Sequence, residues 1–417
     1  MSNEFIKKKL TFLTDHITEI INEYSKSDST AARVRKSFFL KKKYLGSKDR
    51  KCITGAFYFY FRHYPFAKEL NAETLLLLAY NFDTEVSFAL NKLIKNIDIT
   101  EFITNTYSIS DTIIDEFDSL SSINFFPTVF IENININSNE LEQLCDSLNK
   151  AATTDIRIIK NKGLVVNELD TLGIDYYTNI LPDCVKLKDN ANLDNTKSYR
   201  EGYFEIQDEG SQLIATALNP SSGETILDYC AGGGGKSLHI AQLANDKSRI
   251  TATDISSNRL NETKRRVSKL GLKSISVKEI NDVNSNNLTY DKVLVDAPCT
   301  GSGTVRRAPD IRVRITDEDI KRYHRLQLEI LGNVADKIQP GGVLLYSTCS
   351  LFDKENDDTI TEFLSLHPEF NVLNTTTKLN QTGIDTTKFT NKTHGIQTYT
   401  HKADMDSFYI CTLEKSL

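Results

Sequence analysis

The sequence predicts an α/β protein: a doubly wound parallel sheet in the C-terminal half, preceded by a helical N-terminal third. Three observations carry this. From about Gly202 onward, strand-like and helix-like stretches alternate regularly. Residues 1–125 instead space their apolar side chains three and four apart, as an amphipathic helix requires. Between them, residues 126–201 are Asn-rich and mixed in texture. The organisation expected is therefore 1–125 helical, 126–201 a mixed α/β connecting subdomain, and 202–417 the sheet domain. At 417 residues the chain can bury such cores without cross-links.

In chain order, "FIKKKLTFLTDHITEIINEY" and "AETLLLLAYNF" read as helices. Between them "AARVRKSFFLKKKYLGSKDRKCITGAFYFYFR", residues 31–62, carries ten Lys/Arg against a single acid, Asp49. Basic residues interleaved with Phe and Tyr suit a phosphate backbone, or equally a solvated face over an aromatic core stripe. "DIRIIK" and "GLVV" read as short strands, and "KLKDNANLDNTKSYREGYFE" as an exposed loop. Then "ETILDY" (strand), "CAGGGG" (loop), "KSLHIAQLAN" (helix), "RITATD" (strand) and "SSNRLNETKRRVSKLG" (helix) follow one another. "SISVKEIND" and "YDKVLVDAP" are the next strands, and the long helix "DEDIKRYHRLQLEILGNVADKI" leads into "GGVLLYSTCS".

Composition excludes several classes. The chain is 39% hydrophobic with a net charge of −6, and no stretch approaches a membrane span of roughly 18 apolar residues. "MSNEFIKKKLTFL" lacks the apolar run of a signal peptide. Seven scattered cysteines form no CxxC pair, which argues against disulfides and zinc and for a reducing, cytoplasmic setting. No metal, no membrane and a monomer are the expectations.

Ligands of doubly wound sheets sit beyond the carboxyl ends of the strands. Asp228, Asp254, Asp282, Asp296, Cys299 and Cys349 all fall at such ends. "LDYCAGGGGKS" permits three readings. A P-loop would need glycine at residue 230, which is Cys230. A dinucleotide fingerprint lacks a proper third glycine. An S-adenosylmethionine site needs only a glycine loop that lets the backbone approach the amino acid end, plus an acid after the second strand for the ribose hydroxyls. Asp254 has that position, and Asp282 could accept from the adenine amino group; each could instead be a helix N-cap.

In "VLVDAPCTGSGTVRR" the fourth strand ends in Asp296 and Cys299, not in the Asp/Asn-Pro-Pro-aromatic arrangement of adenine amino-methyltransferases. Thiols here suit methylation of a pyrimidine carbon. Carbon 5 of cytosine is a poor nucleophile until a thiolate adds to carbon 6. The inventory is one thiolate, one carboxyl to stabilise charge on the base, and one further proton-handling group. Cys349, Asp296 and Cys299 supply it, although a free cysteine on an apolar strand is more commonly a packed core thiol.

The blocks "GYFEIQDEGSQL", "ILDYCAGGGGK", "VLVDAPCTGSGTVRRAPDI" and "GGVLLYSTCSLFDKENDDTI" together resemble the Nop/Sun (RsmB-like) family of RNA cytosine-5 methyltransferases. The resemblance covers residues 202–417 and implies a Rossmann-like S-adenosylmethionine-dependent domain. It implies Cys349 of the Thr-Cys pair as nucleophile and Cys299 of the Pro-Cys pair in product release; DNA enzymes attack from the Pro-Cys cysteine. It further implies that Cys230, Ala231, Gly232, Gly233, Gly234, Gly235 and Lys236 line the cofactor and base site with Asp254, Arg259, Asp282 and Asp296. "LGSKDRKCITGAFYFYFR" resembles a NusB-like helical RNA-binding domain, and that resemblance implies RNA contact by the basic segment. Ribosomal RNA of the small-subunit, 16S type is the implied substrate and tRNA the alternative. There are departures: Gly232 and Gly233 replace Ala and Pro of the usual loop, "RVR" follows "RRAPDI" where Lys/Arg-Trp is usual, and "MDSFYI" replaces Asp-Gly-Phe-Phe. They raise a rival, an RNA-binding scaffold that has lost catalysis.

Overall fold

The computed structural model describes residues 2–94, 97–110, 112–188 and 191–417. The chain divides into two compact units. The first comprises residues 1–132, 136–149 and 307–315, and its described residues are helical. The second comprises 133–135, 150–306 and 316–417 and holds both sheets.

In the helical unit the helix Asn3–Ser25 starts where Ser2 accepts from the Phe5 amide, and it buries Ile6, Leu10, Leu13, Ile17 and Ile20. That three-and-four spacing makes one apolar stripe, each side chain contributing roughly 1.5–3 kcal/mol on burial. Ser47–Arg62 buries Phe57, Phe59 and Phe61, and Ala72–Phe82 buries a run from Thr74 to Ala79. Gly55 lets the helix Thr84–Leu93 approach closely: a Cβ there would stand 2.2 Å from Val86 Cγ2. Helical order continues past residue 125 through Ser138–Asn149. The late segment containing Ile311–Arg314 completes this unit.

In the second unit, a small antiparallel sheet has order β2-β3-β1-β4. Its strands are β1 (Thr154–Ile158), β2 (Tyr176–Tyr177), β3 (Cys184–Leu187) and β4 (Phe204–Ile206). Two expectations are corrected here. "GLVV" is not a strand but lies in the helix Lys162–Thr171, where Val165 and Leu169, four apart, turn inward while Leu164 is exposed. Four residues are too short to separate period 2 from period 3.6, and the preference of valine for strands misleads. The expected exposed loop holds the end of β3, the helix Lys197–Arg200 and most of β4; its Asp189 and Asn190 lie outside the described residues. Lys186, at its start, is fully buried because its ammonium meets Asp155 at 2.6 Å and Glu209 at 3.6 Å.

The large sheet follows with β5 (Thr225–Asp228), β6 (Arg249–Asp254), β7 (Ile275–Glu279), β8 (Tyr290–Asp296) and β9 (Ile338–Thr348). These five run parallel in the order β9-β8-β5-β6-β7. β10 (Phe370–Leu373), β11 (Thr390–Asn391), β12 (Ile396–Gln397) and β13 (Tyr409–Lys415) extend it, with β13 antiparallel to β9. Their apolar residues fill cores on both faces. Both faces of the sheet are therefore covered, as continuous apolar runs such as "VLLY" require.

Candidate active site

The strand order reverses between β5 and β8, and such a switch point opens a crevice at the strands' carboxyl ends. A cavity of about 750 Å³ lies there. Of the expected site residues, Cys230, Ala231, Gly232, Gly233, Gly235, Lys236, Asp254, Arg259, Asp296, Cys299 and Cys349 line it. Gly234 stands behind it, at φ 82°, where a Cβ would come within 2.7 Å of Thr263. Asp282 is the correction. β7 ends at Glu279, and Asp282 is an exposed residue of the short helix Ile280–Asn284. Asn281 and Asn284 of the same helix line the cavity instead, beside Ile255 and Ile280.

The glycine loop is fastened from several sides. Gly232 donates its amide to Asp254 Oδ2 (2.9 Å), and Ala231 donates to the Thr253 carbonyl (2.9 Å). The helix Ser257–Leu270 reaches back with Thr263, which donates to the Gly232 carbonyl (3.0 Å), and Arg266, which donates to that of Gly233 (2.7 Å). Gly232 sits at φ 56°, a left-handed conformation that costs a residue with a Cβ roughly 1–2 kcal/mol. Asp254 also accepts from the Ser256 amide (2.8 Å), one residue before that helix, so the turn-forming role and the cavity-facing role coexist.

On the other side of the cavity, the pairing of β8 and β9 sets Asp296 opposite Ser347, and Ser347 donates to Asp296 Oδ1 (3.0 Å). Cys299 and Cys349 follow these residues on adjacent turns, their sulfurs 3.3 Å apart. Lys236 Nζ lies 2.5 Å from Asp296 Oδ2. Burial opposes the charge on Lys236, but Asp296, Asp228 and Cys349 more than offset it and its pKa is raised. The contact with Cys349, with burial adding, drives the Cys299 thiol well above its usual range. Burial does the same to Cys230, so that third thiol stays protonated. All seven cysteines are free. Among the described residues no cluster of three or more His, Cys, Asp or Glu could hold a metal, and no helix is long and apolar enough to cross a membrane.

The residues present fit an adenosyl-amino acid cofactor: a glycine loop with no room for a Cβ at Gly234, a strand-end carboxylate, and a cavity of cofactor size. Sheet and site together define a Rossmann-like, S-adenosylmethionine-dependent methyltransferase domain. Residues 215–414 match the family model described as 16S rRNA methyltransferase RsmB/F. Through this segment the chain is similar to the RsmB/F methyltransferases, of the Nop/Sun group that its motifs resemble.

Among curated relatives, the chain is 39% identical over 192 residues to the probable ribosomal RNA small subunit methyltransferase B of Bacillus subtilis (strain 168), covering 45% of this chain and 43% of that protein. It is 34% identical over 239 residues to ribosomal RNA small subunit methyltransferase B of Yersinia pestis bv. Antiqua (strain Angola), covering 57% and 52%. The chain's matches thus span about half the length of these relatives. Among solved structures, the fold is similar to PH0851 (TM-score 0.75, 24% identity, 97% of this chain and 98% of that one). It is also similar to NSun6 from Pyrococcus horikoshii, crystallised with SFG (TM-score 0.60, 20% identity, 70% and 99%).

Proposed function

We propose that this chain is an RNA (cytosine-5)-methyltransferase acting on small-subunit ribosomal RNA through a covalent cysteine adduct. One observation carries the reading: two thiols in contact beside a charged Lys–Asp pair, at the edge of a cofactor-sized cavity. The printed names of the relatives and the family description support ribosomal RNA as the substrate.

In this reading the glycine loop holds the amino acid end of the cofactor, Asp254 its ribose hydroxyls, and Asn281 takes the place foreseen for Asp282 near the base. Bound S-adenosylmethionine supplies the methyl group. Cys349 Sγ adds to carbon 6 of cytosine, and the carbon 5–carbon 6 π electrons become available at carbon 5 for the new carbon–carbon bond. Lys236, held in place by Asp296, opposes the negative charge that develops on the base; in a water-poor site such preorganised groups are worth far more than in water. Transfer of the carbon 5 proton to a water molecule then returns electrons that break the Sγ–carbon 6 bond. Cys299, held as a thiol 3.3 Å from Cys349, assists this release by giving its proton to the departing Cys349 sulfur. In the helical unit, a groove of about 960 Å³ lined by Arg33, Arg35, Lys36, Arg50 and Lys51 with Phe39 suits an RNA backbone.

The test is covalent trapping on small-subunit ribosomal RNA. Cys299→Ala should attack but fail to release, so a slow-migrating adduct accumulates on a denaturing gel. Cys349→Ala and the double variant should give neither adduct nor methylation while still binding cofactor. Turnover retained by Cys349→Ala would return that residue to a packed thiol.

A further inference from the structure

Glu355 does not line the cavity, yet it is fully buried in the 3-10 turn Asp353–Glu355. Its carboxylate collects hydrogen bonds from both thiol-bearing turns. From the residue after Cys299, the Thr300 amide donates to Oε2 (2.9 Å) and the Thr300 hydroxyl to Oε1 (2.5 Å). From the residue after Cys349, the Ser350 hydroxyl donates to Oε1 (2.6 Å). Gln327 Nε2, in the long helix Asp317–Ala335, donates to Oε2 (3.1 Å) and also to the carbonyl of Pro298, the residue before Cys299 (3.0 Å). Asn356 brackets Cys349 in turn: Thr348 Oγ1 donates to its Oδ1 (2.6 Å), and its Nδ2 donates to the Ser350 carbonyl (3.0 Å).

All four groups around the carboxylate are donors, so the place calls for an acceptor-only side chain of this length. A lone acid buried to strengthen the fold would not need to join these two turns. Burial raises the pKa of Glu355, opposed by its bonds from Ser350, Thr300 and Gln327.

We propose that Glu355 is a positioning residue: by tying the turn after Cys299 to the turn after Cys349, it holds the two sulfurs at working distance. Its catalytic consequence rests on the function proposed above, but the geometric claim does not. Glu355→Ala should lower kcat about 100-fold with KM for S-adenosylmethionine within about twofold, the scale of a 1 Å misplacement. Glu355→Gln keeps the shape but turns an amide toward the Thr300 or Gln327 donors, and should lose about 10-fold.

A second readout needs no RNA. Diamide takes two hydrogens from a thiol pair, is reduced to its hydrazine, and leaves a sulfur–sulfur bond. The wild-type protein should close the Cys299–Cys349 disulfide, identified by peptide mass, at least about 10-fold faster than Glu355→Ala. Equal disulfide rates overturn the proposal, whether or not turnover falls, because a purely structural role lowers stability without separating the sulfurs. Should Glu355→Ala fail to fold, Ser350→Ala removes one arm and carries the same expectation: slower closure, or the proposal fails. If wild-type protein methylates no RNA, the proposed function falls while the disulfide comparison still decides this one.

Discussion

Asp228 illustrates how single residues set the chemistry of this crevice. It ends β5 with no exposed surface, accepts from Ser237 Oγ at 2.6 Å, and its Oδ1 has no hydrogen-bond partner. Burial raises its pKa to about 7; Ser237 and Lys236 oppose the shift, while Asp296 and Asp254 add to it. An acid whose folded pKa is raised binds more protons folded than unfolded between about pH 4 and 7, so its contribution falls as pH rises through that window. Between pH 5 and 8 this should remove roughly 2–3 kcal/mol, an upper estimate from 1.36 kcal/mol per unit. Asp228→Asn should flatten that decline in urea unfolding at the two pH values; an unchanged slope would assign the pH dependence elsewhere. At this scale the sequence was legible where chemistry is rare. Two cysteines and four acids read at strand ends are unusual enough to single out, and of these Cys299, Cys349, Asp254 and Asp296 border the cavity. Glu355 was not legible. In "FDKENDD" it is one acid among four and reads as a solvated run; its burial arises from donors far away in sequence, at Thr300 and Gln327.

Elements differ in how much they owe to local pattern. The parallel strands were legible because each is a short apolar run bounded by turn residues and separated by a long amphipathic helix. β7 was overextended: "SISVKEIND" keeps an apolar residue at Ile280, but the chain there turns into a helix, which moved Asp282 off the strand end. The basic helices were legible as charge and not as arrangement. In "KKK", Lys41 pairs with Glu23 at 3.4 Å and Lys42 with Glu19 at 2.8 Å, both on the first helix, so part of this charge is already neutralised. The groove draws on other residues, with Arg33, Lys36 and Lys51 exposed along it. Replacing those three by alanine should weaken RNA binding and lower its dependence on log salt by up to about three units, since each phosphate contact releases roughly 0.9 counterion. Cofactor affinity should stay at the wild-type value. The same slope measured with the triple variant would mean that the groove holds no phosphates. Exposed side chains of this kind cost little stability when truncated, so the unfolding midpoint should barely move.

For the whole molecule, the most consequential feature is that residues 307–315 belong to the helical unit although they follow Cys299 and its turn directly in the chain. Periodicity assigns neighbours in sequence to one unit and gives no signal for such a departure; "RAPDIRVRI" shows only mixed polarity. Its anchor is Arg312, fully buried, with its guanidinium 4.0 Å over the Phe126 ring. It donates to the carbonyls of Arg62 (2.5 Å), Phe125 (3.2 Å) and Leu148 (3.3 Å) and to Asn149 Oδ1 (2.6 Å). Asp310 adds a second attachment by accepting from the Ala31 amide at 3.0 Å. Burial, with the Arg62 charge adding, lowers the Arg312 pKa to about 9, a measure of what desolvation costs there. The hydrogen bonds to these carbonyls and to Asn149 are what offset that cost. Arg312→Met keeps the apolar volume and relieves the charge but strands those acceptors, each worth about 1–3 kcal/mol when left unsatisfied. The net expectation is a loss of about 2–4 kcal/mol, seen as a lower urea midpoint. Arg312→Lys should recover only part of it, because one ammonium cannot span four acceptors or stack on Phe126 as a planar fork does. If Arg312→Met unfolds at the wild-type urea concentration, the segment merely lies against the helical unit and its anchoring must be sought in Asp310.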